Sequence, residues 1–540
     1  MKRDTELEKL KSIQFDVCVI GAGASGAGVA LDAQLRGLKV CLIDRGDFVS
    51  ETSAKSTKLI HGGVRYLEQA FKNLDLGQLK QVRHGLAERK FLLANGSHVS
   101  KPLGIITPVF SLFEAVYYTL GLKIYGWFAK KDHLPAARWV SKKETHLLAP
   151  NISQKIHSAV MYFDGQLDDA RFAFALSQTA HQQGVVTANY VKVTDFDFDK
   201  NGKLSAAICN DTIDNETFRI KSKLFVNCTG PFADELRLKA NPTEDKRITP
   251  AKGVHIVVPR RFFDSERAML IPKTKDGRLI FMIPFGTTVM VGTTDTKYND
   301  LDKEPLLELD EVDFLLDTVK DYLKEIPTKA DITSGFGGLR PLISAKSKNP
   351  NETKSLLRDH EVEYDEASGL LSLLGGKWTT YRLMAEDTVN KICQLLLVDR
   401  QSTTHEFKLI GCQKQNPVKP DHFELEIYTH LLHTYGDQTV EILKICKNEP
   451  AMYERIHKDY PYIKAEVIYA AEYEMIIKPR DYLARRTRFE LMDWQACSTS
   501  IAIVTNLMAE KLAWNIEKTQ KEITEYQSLI ASFKRTSSEK

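Results

Sequence analysis

The chain has 540 residues, 43% hydrophobic and 27% charged, and its 74 Lys and Arg against 71 Asp and Glu leave a formal charge of +3. That length exceeds a single hydrophobic core and predicts two or three domains. The ordinary composition excludes a disordered or fibrous chain, and the near-neutral balance excludes a typical nucleic-acid binder, which carries a strong basic excess. Eight cysteines are scattered without a C-x-x-C pair, so neither a zinc site nor a redox dithiol is indicated and buried free thiols are expected. Residues 1–14 are charged and carry no signal-peptide pattern. No uncharged apolar run is long enough to span a bilayer.

In chain order, an apolar strand over 15–20 breaks into Gly21-Ala22-Gly23-Ala24-Ser25-Gly26. A helix over 24–36 follows, Gly37 closes it, and a second strand over 39–43 ends at Asp44. A G-x-G-x-x-G string alone is weak. Here it sits in a βαβ unit, with an acid 18 residues past the last glycine that could hold a ribose. A helix start offers unpaired N–H groups and the positive end of a dipole, which suits a pyrophosphate. The motif does not separate FAD from NAD. The loop 57–68 contains Gly62 and Gly63, which admit close backbone approach, then Arg65 and Tyr66, a fixed cation and a hydroxyl. A helix is predicted over 74–93. The most apolar and aromatic region, 103–128, is interrupted by Glu114 and Lys123 and followed by Lys130 and Lys131. It reads either as an interfacial segment or as a buried cap element.

Helix is predicted over 166–183 and 306–326, strand over 185–193, and a hairpin from 203–210 and 219–226. A strand over 224–230 ends in a Thr-Gly-Pro turn, and alternating residues over 250–296 predict an antiparallel sheet with one face on a core. His255 opens one of those strands, and Arg340 follows the glycine pair Gly337-Gly338. A guanidinium suits a phosphate or carboxylate bidentately. A second apolar run breaks at Gly375-Gly376-Lys377-Trp378-Thr379-Thr380 into a helix over 380–397. Two such turns point to a long cofactor touched at both ends. A linker is expected over 413–421, then a separate helical domain. There Arg480, Arg485, Arg486 and Arg488 are expected mostly in surface ion pairs, and Arg358 is a weaker anion-binding candidate.

Taken together, these segments resemble the FAD-dependent glycerol-3-phosphate dehydrogenase family. The resemblance rests on residues 21–26, 56–68, Asp168-Asp169-Ala170-Arg171, 227–231, Lys252-Gly253-Val254-His255 with the strand to 259, 291–295, 338–341 and 375–382, and runs from about 15 to 397 with an echo at 484–488. It implies an α/β (α+β) fold similar to the glycine oxidases. A discontinuous Rossmann-like FAD-binding domain would comprise 1–100, 155–235 and 335–400. An antiparallel-sheet substrate domain would comprise 101–154 and 236–334, and a C-terminal helical domain 401–540.

The resemblance further implies FAD held by Gly21, Gly23, Ala24, Ser25, Gly26, Asp44 and Arg45, then by Thr52, Ser53, Lys58, Leu59, His61, Gly62 and Gly63. Val191, Thr229, Gly230, Gly376, Lys377, Thr379 and Thr380 complete that expected set. It implies oxidation of sn-glycerol 3-phosphate to dihydroxyacetone phosphate by hydride transfer to flavin N5. Substrate would be bound by Arg65, Tyr66, His255, Arg340, Arg358 and Lys377, with no metal. His255 is the expected general base, or it orients substrate while a water or hydroxide takes the proton. Lys377 would sit near flavin N1 and O2.

Oxidase members typically carry an extra insertion, and no large one fits between Gly230 and Lys252, which favours quinone over oxygen as acceptor. The absence of a D-x-[DN]-x-[DN]-G string points to a bacterial type without calcium control. Expected partners are glycerol 3-phosphate, a membrane quinone, an anionic membrane surface met peripherally from the cytoplasm, and a second copy in a homodimer, with no nucleic acid. The rival readings are a glycerol-3-phosphate oxidase releasing H2O2, an amino-acid or amine oxidase of the same fold, an NAD-dependent dehydrogenase and a flavin-free scaffold.

Overall fold

In the computed structural model, residues 1–63, 76–128, 134–272, 274, 277–344 and 360–538 are described. Two sheets organise them. In the first, strands Leu370–Gly375, Thr217–Asn227, Gln14–Ile20, Val40–Ile43 and Val186–Ala188 lie side by side in parallel. The strand His360–Tyr364 adds antiparallel to one edge. Val17 and Val19 face a layer built from the helices Ala24–Leu35, Asp169–Gln182 and Tyr381–Leu396. Cys18 and Ile20 face the opposite way, against the helix Arg3–Ser12 and the antiparallel strands Val191–Phe198 and Leu204–Asp211. Both faces are covered, which is why these strands read as unbroken apolar runs.

The second sheet has ten strands, mostly antiparallel. Its longest strand, Ile248–Pro259, is flanked by Thr288–Gly292 and Ser334–Ile343. The alternation over 250–296 belongs to this sheet. Two of its members depart from the expected division of the chain. The strands Ser158–Leu167 and Ser334–Ile343 pair here, with Ser100–Val109 and Ile248–Pro259 respectively, and not in the first sheet. The boundaries expected at 155 and 335 therefore fall about a strand too early. Ser158–Leu167 also takes the start of the helix expected over 166–183, because Asp168 caps that helix by accepting the Arg171 N–H. The helix expected over 306–326 is shorter, Leu309–Val319, starting at a Glu308/Glu311 capping box.

The apolar region 103–128 splits in two. Ser100–Val109 is a mostly buried strand, and Leu112–Phe128 is a helix that turns an apolar face outward. Among the described residues no helix is long and apolar enough to cross a membrane. Helices Leu425–Tyr435, Thr439–Asn448, Lys464–Tyr473, Trp494–Lys511 and Ile516–Ser538 form the C-terminal part.

The C-terminal arginines are not at the surface. Arg485 and Arg486 both donate to the fully buried Asp47, at 2.6 and 2.9 Å, and Arg488 donates to Asp169 at 3.1 Å. Arg171 places one guanidinium nitrogen 2.9 Å from each Glu474 oxygen. These residues bolt the helical part onto the first sheet's layer. Spacing could not reveal that, because each partner lies hundreds of residues away.

Candidate active site

The carboxyl ends of three neighbouring parallel strands carry the glycine turns. Gln14–Ile20 leads to Gly21, Thr217–Asn227 to Gly230, and Leu370–Gly375 to Gly376. All three turns open on one cavity of about 480 Å3, a size that suits a small-molecule or cofactor site. In doubly wound sheets ligands bind at this edge.

The first turn is closely folded on itself. Gly21 has φ +104°, and a Cβ on Gly26 would fall 1.8 Å from the Gly21 carbonyl. Gly23 begins the helix without any side-chain cap of its own, and Ser53 accepts the Ala24 N–H at 3.0 Å. Asp44 accepts the N–H of Ala22 at 2.7 Å and of Gly46 at 3.0 Å, and burial pushes its carboxyl up to about 6. Arg45 stacks on Phe232 beside it, 3.8 Å from the ring centre. At the other end Gly375 and Gly376 both have positive φ, and a Cβ on Gly376 would meet Met384 at 2.4 Å. Lys377 donates to Gln81 at 3.0 Å, and Thr379 accepts the His61 N–H at 3.3 Å.

His255 and Arg340 enter the cavity from the second sheet. In the ladder His255 faces Gly292, and a Cβ there would lie 2.2 Å from the imidazole. Gly253 likewise leaves room for Arg340, whose guanidinium would meet a Cβ at 2.4 Å. Arg340 donates to Asp295 and to Thr293, each at 3.2 Å. The His255 ring lies flat on Phe336, centroids 4.8 Å apart, with Nε2 3.1 Å from the Thr57 hydroxyl. Among the described residues no hydrogen-bond partner reaches its buried Nδ1. Burial, with Lys58 and Arg340 nearby, lowers His255 to about 3, and burial with Lys377 and Arg89 lowers His61 to about 4. Both imidazoles are neutral at physiological pH.

Of the sequence candidates, Gly21, Gly23, Ala24, Ser25, Asp44, Arg45, Thr52, Ser53, Leu59, His61, Gly62 and Gly63 line the cavity. Val191, Thr229, Gly230, His255, Arg340, Gly376, Lys377, Thr379 and Thr380 line it as well. Gly26 sits behind the turn. Lys58 does not reach the cavity with its ammonium. That group is fully buried, donates to both Asp169 oxygens at 2.8 and 2.9 Å, and is lowered to about 8 by burial that the carboxylate only partly offsets. Arg65, Tyr66 and Arg358 lie outside the described residues. Sequence reading did not single out Thr57, Lys55, Gln81, Tyr162 or Asp164, which also line the site. Tyr162 and Asp164 ride on Ser158–Leu167, whose apolar run was the available signal.

The chain matches the family described as FAD dependent oxidoreductase over residues 16–382, and the C-terminal domain of alpha-glycerophosphate oxidase over 402–519. It is 37% identical to a probable mitochondrial glycerol-3-phosphate dehydrogenase of Dictyostelium discoideum, over 96% of this chain and 84% of that one. It is 36% identical to the human mitochondrial glycerol-3-phosphate dehydrogenase, over 96% and 74%. The glycerol-3-phosphate dehydrogenase of Bacillus halodurans, solved with FAD, superposes with a TM-score of 0.78 at 27% identity, covering 99% of this chain and 97% of that one. Glycine oxidase from Bacillus cereus shares the fold at a TM-score of 0.52 and 18% identity, covering 70% and 97%.

FAD is the cofactor, and the residues present fit it. One helix start faces each end of the groove, side chains at Gly21, Gly26 or Gly376 would collide with the turns that form it, and a buried acid stands at the ribose position. By sequence, fold and cofactor cradle, the chain belongs to the FAD-dependent glycerol-3-phosphate dehydrogenase family.

Proposed function

We propose that this protein oxidises the C2 hydroxyl of sn-glycerol 3-phosphate to the ketone of dihydroxyacetone phosphate and passes the electrons to a membrane quinone. The observation that carries the reading is the entry of His255 and Arg340 from adjoining strands into the cavity that both glycine turns border. The bound flavin supplies a ring that accepts the hydride. The chain's own residues supply the rest. Arg340 holds the phosphate or hydroxyl end by charge-assisted hydrogen bonds. His255, in the cavity wall with its ring set by Thr57 and Phe336, takes the hydroxyl proton or orients the substrate. Burial is the main cause of the depressed imidazole, and a bound phosphate dianion would counter only the smaller part due to Lys58 and Arg340. Lys377, at the second helix start in the cavity wall, would place its ammonium where the flavin ring lies and favour negative charge there.

The membrane arm of the proposal rests on the helix Leu112–Phe128. Phe113, Val116, Tyr117, Leu120, Ile124 and Trp127 are exposed along one stripe, while Ala115, Leu122 and Tyr125 are buried on the other side. That spacing is an amphipathic face. With the exposed Lys123 beside it, the face suits shallow insertion into an anionic cytoplasmic leaflet.

Anaerobic mixing with glycerol 3-phosphate tests the reading. The flavin is expected to bleach with this substrate and not with glycerol, glycine or sarcosine. Reoxidation is expected to be fast with a quinone analogue and slow with oxygen. Bleaching by an amino acid would replace the substrate assignment, and rapid reoxidation by oxygen with peroxide release would replace the acceptor.

A further inference from the structure

The segment His61-Gly62-Gly63 lies in the cavity wall between the two halves of the site. Its backbone is held from both sides. Thr379, at the second helix start, accepts the His61 N–H. On the other side the Gly62 N–H donates to the Tyr125 hydroxyl at 2.7 Å. That hydroxyl donates onward to Asp164, 3.0 and 3.2 Å from its two oxygens, and Asp164 is ion-paired with Arg89. Tyr125, Asp164 and Arg89 are 2%, 1% and 1% exposed.

Burial, with the Asp164 charge next to it, holds the Tyr125 phenol well above its usual value. The group is therefore always an O–H, able to accept from Gly62 while donating to the carboxylate. The loop is closely packed where it lies. A Cβ on Gly62 would stand 2.7 Å from Leu86 and 3.1 Å from the phenol oxygen, and one on Gly85 would stand 2.9 Å from the Gly62 Cα.

We infer that Tyr125 is a positioning residue for glycerol 3-phosphate binding: its hydroxyl, anchored by Asp164 and Arg89, fixes the His61–Gly63 backbone in the cavity wall. The loop packs against the glycine of a helix and is tied by the Tyr125 hydroxyl. Removing that one oxygen leaves the Gly62 N–H buried without its acceptor, which is unfavourable. The loop then relieves the cost by moving, and substrate loses a preformed wall. The inference rests on the reading of this cavity as a glycerol 3-phosphate site.

Stopped-flow flavin reduction by glycerol 3-phosphate, run side by side on wild-type holoenzyme and Tyr125→Phe, is the test. The expected result is an apparent dissociation constant raised at least about fivefold, with the limiting reduction rate lowered less than about threefold. FAD content and pH profile are expected to stay at wild-type values, with a modest fall in thermal midpoint from the lost hydrogen bond. Gly85→Ala, whose methyl would press on the Gly62 Cα, is expected to give the same split and serves if the first variant does not accumulate as folded holoenzyme. A dissociation constant within about twofold of wild type in the folded variant removes the positioning role. A wild-type flavin that glycerol 3-phosphate does not reduce removes the underlying functional reading instead, so the two failures are distinguishable.

Discussion

His255 has one nitrogen against Thr57, a ring face on Phe336 and a second nitrogen that no described group engages. The Thr57 and Phe336 contacts fix the ring's orientation in the cavity wall, as proton transfer to a positioned base requires. His255→Ala is therefore expected to slow flavin reduction by about 10²-fold or more at neutral pH, measured by anaerobic stopped-flow absorbance. A rate within about threefold of wild type would leave His255 as a substrate-orienting group only. Lys58 shows the opposite lesson. Its place in a distinctive loop made it an expected cofactor ligand, yet the ammonium is consumed by Asp169 in the interior. An isolated buried ammonium is far costlier than a paired one, and the partner lies more than a hundred residues away.

At the scale of elements, the second sheet works as a rack for two functional side chains. Each needs a glycine on the neighbouring position, Gly292 for the imidazole and Gly253 for the guanidinium. Gly292→Ala puts a methyl where the ring now lies, so His255 must rotate off Phe336. The limiting rate of flavin reduction is expected to fall about tenfold or more while FAD remains bound, and unchanged kinetics with FAD retained would contradict the account. The helix Leu112–Phe128 carries a separate expectation. Phe113 is 81% and Leu120 59% exposed, so the double change Phe113→Glu/Leu120→Glu alters no packed core. It is expected to abolish co-sedimentation with anionic vesicles while leaving reduction by glycerol 3-phosphate intact, and undiminished vesicle binding would move membrane contact elsewhere. The glycine turns and the alternating strands of 250–296 were legible because local spacing encodes them. Ser158–Leu167 was not read as a strand because its apolar run leads straight into a helix cap.

For the whole molecule, burial of neutral histidines makes acid a destabilising condition. His61, His98 and His255 are lowered to about 4, 3 and 3, each mainly by burial. In the unfolded chain all three take up a proton near pH 6.5, and in the folded chain none does until far lower. Their stabilising effect is thus complete above pH 6.5 and is lost progressively as pH falls toward their folded values. Asp44, raised to about 6, opposes this with a single proton taken up by the folded state. The net expectation is a thermal midpoint that is level above about pH 7 and declines from about pH 6.5 to 5, at up to about 1.4 kcal/mol per pH unit for each uncompensated histidine. A flat profile over that range would show that these imidazoles are hydrated.

The sequence by itself determined the local devices: both glycine turns, the acid at the end of the second strand, and the alternation of the strands over 250–296. Turn geometry and strand alternation depend on neighbours a few residues away. Only the tertiary structure decided that three glycine turns share one sheet edge and that Arg485, Arg486 and Arg488 are interior bolts. It also decided that Tyr125 reaches the backbone of Gly62. Those facts depend on which buried charge meets which partner and on which strand pairs with which. Desolvation and long-range pairing settle such matters, and residue spacing does not record them.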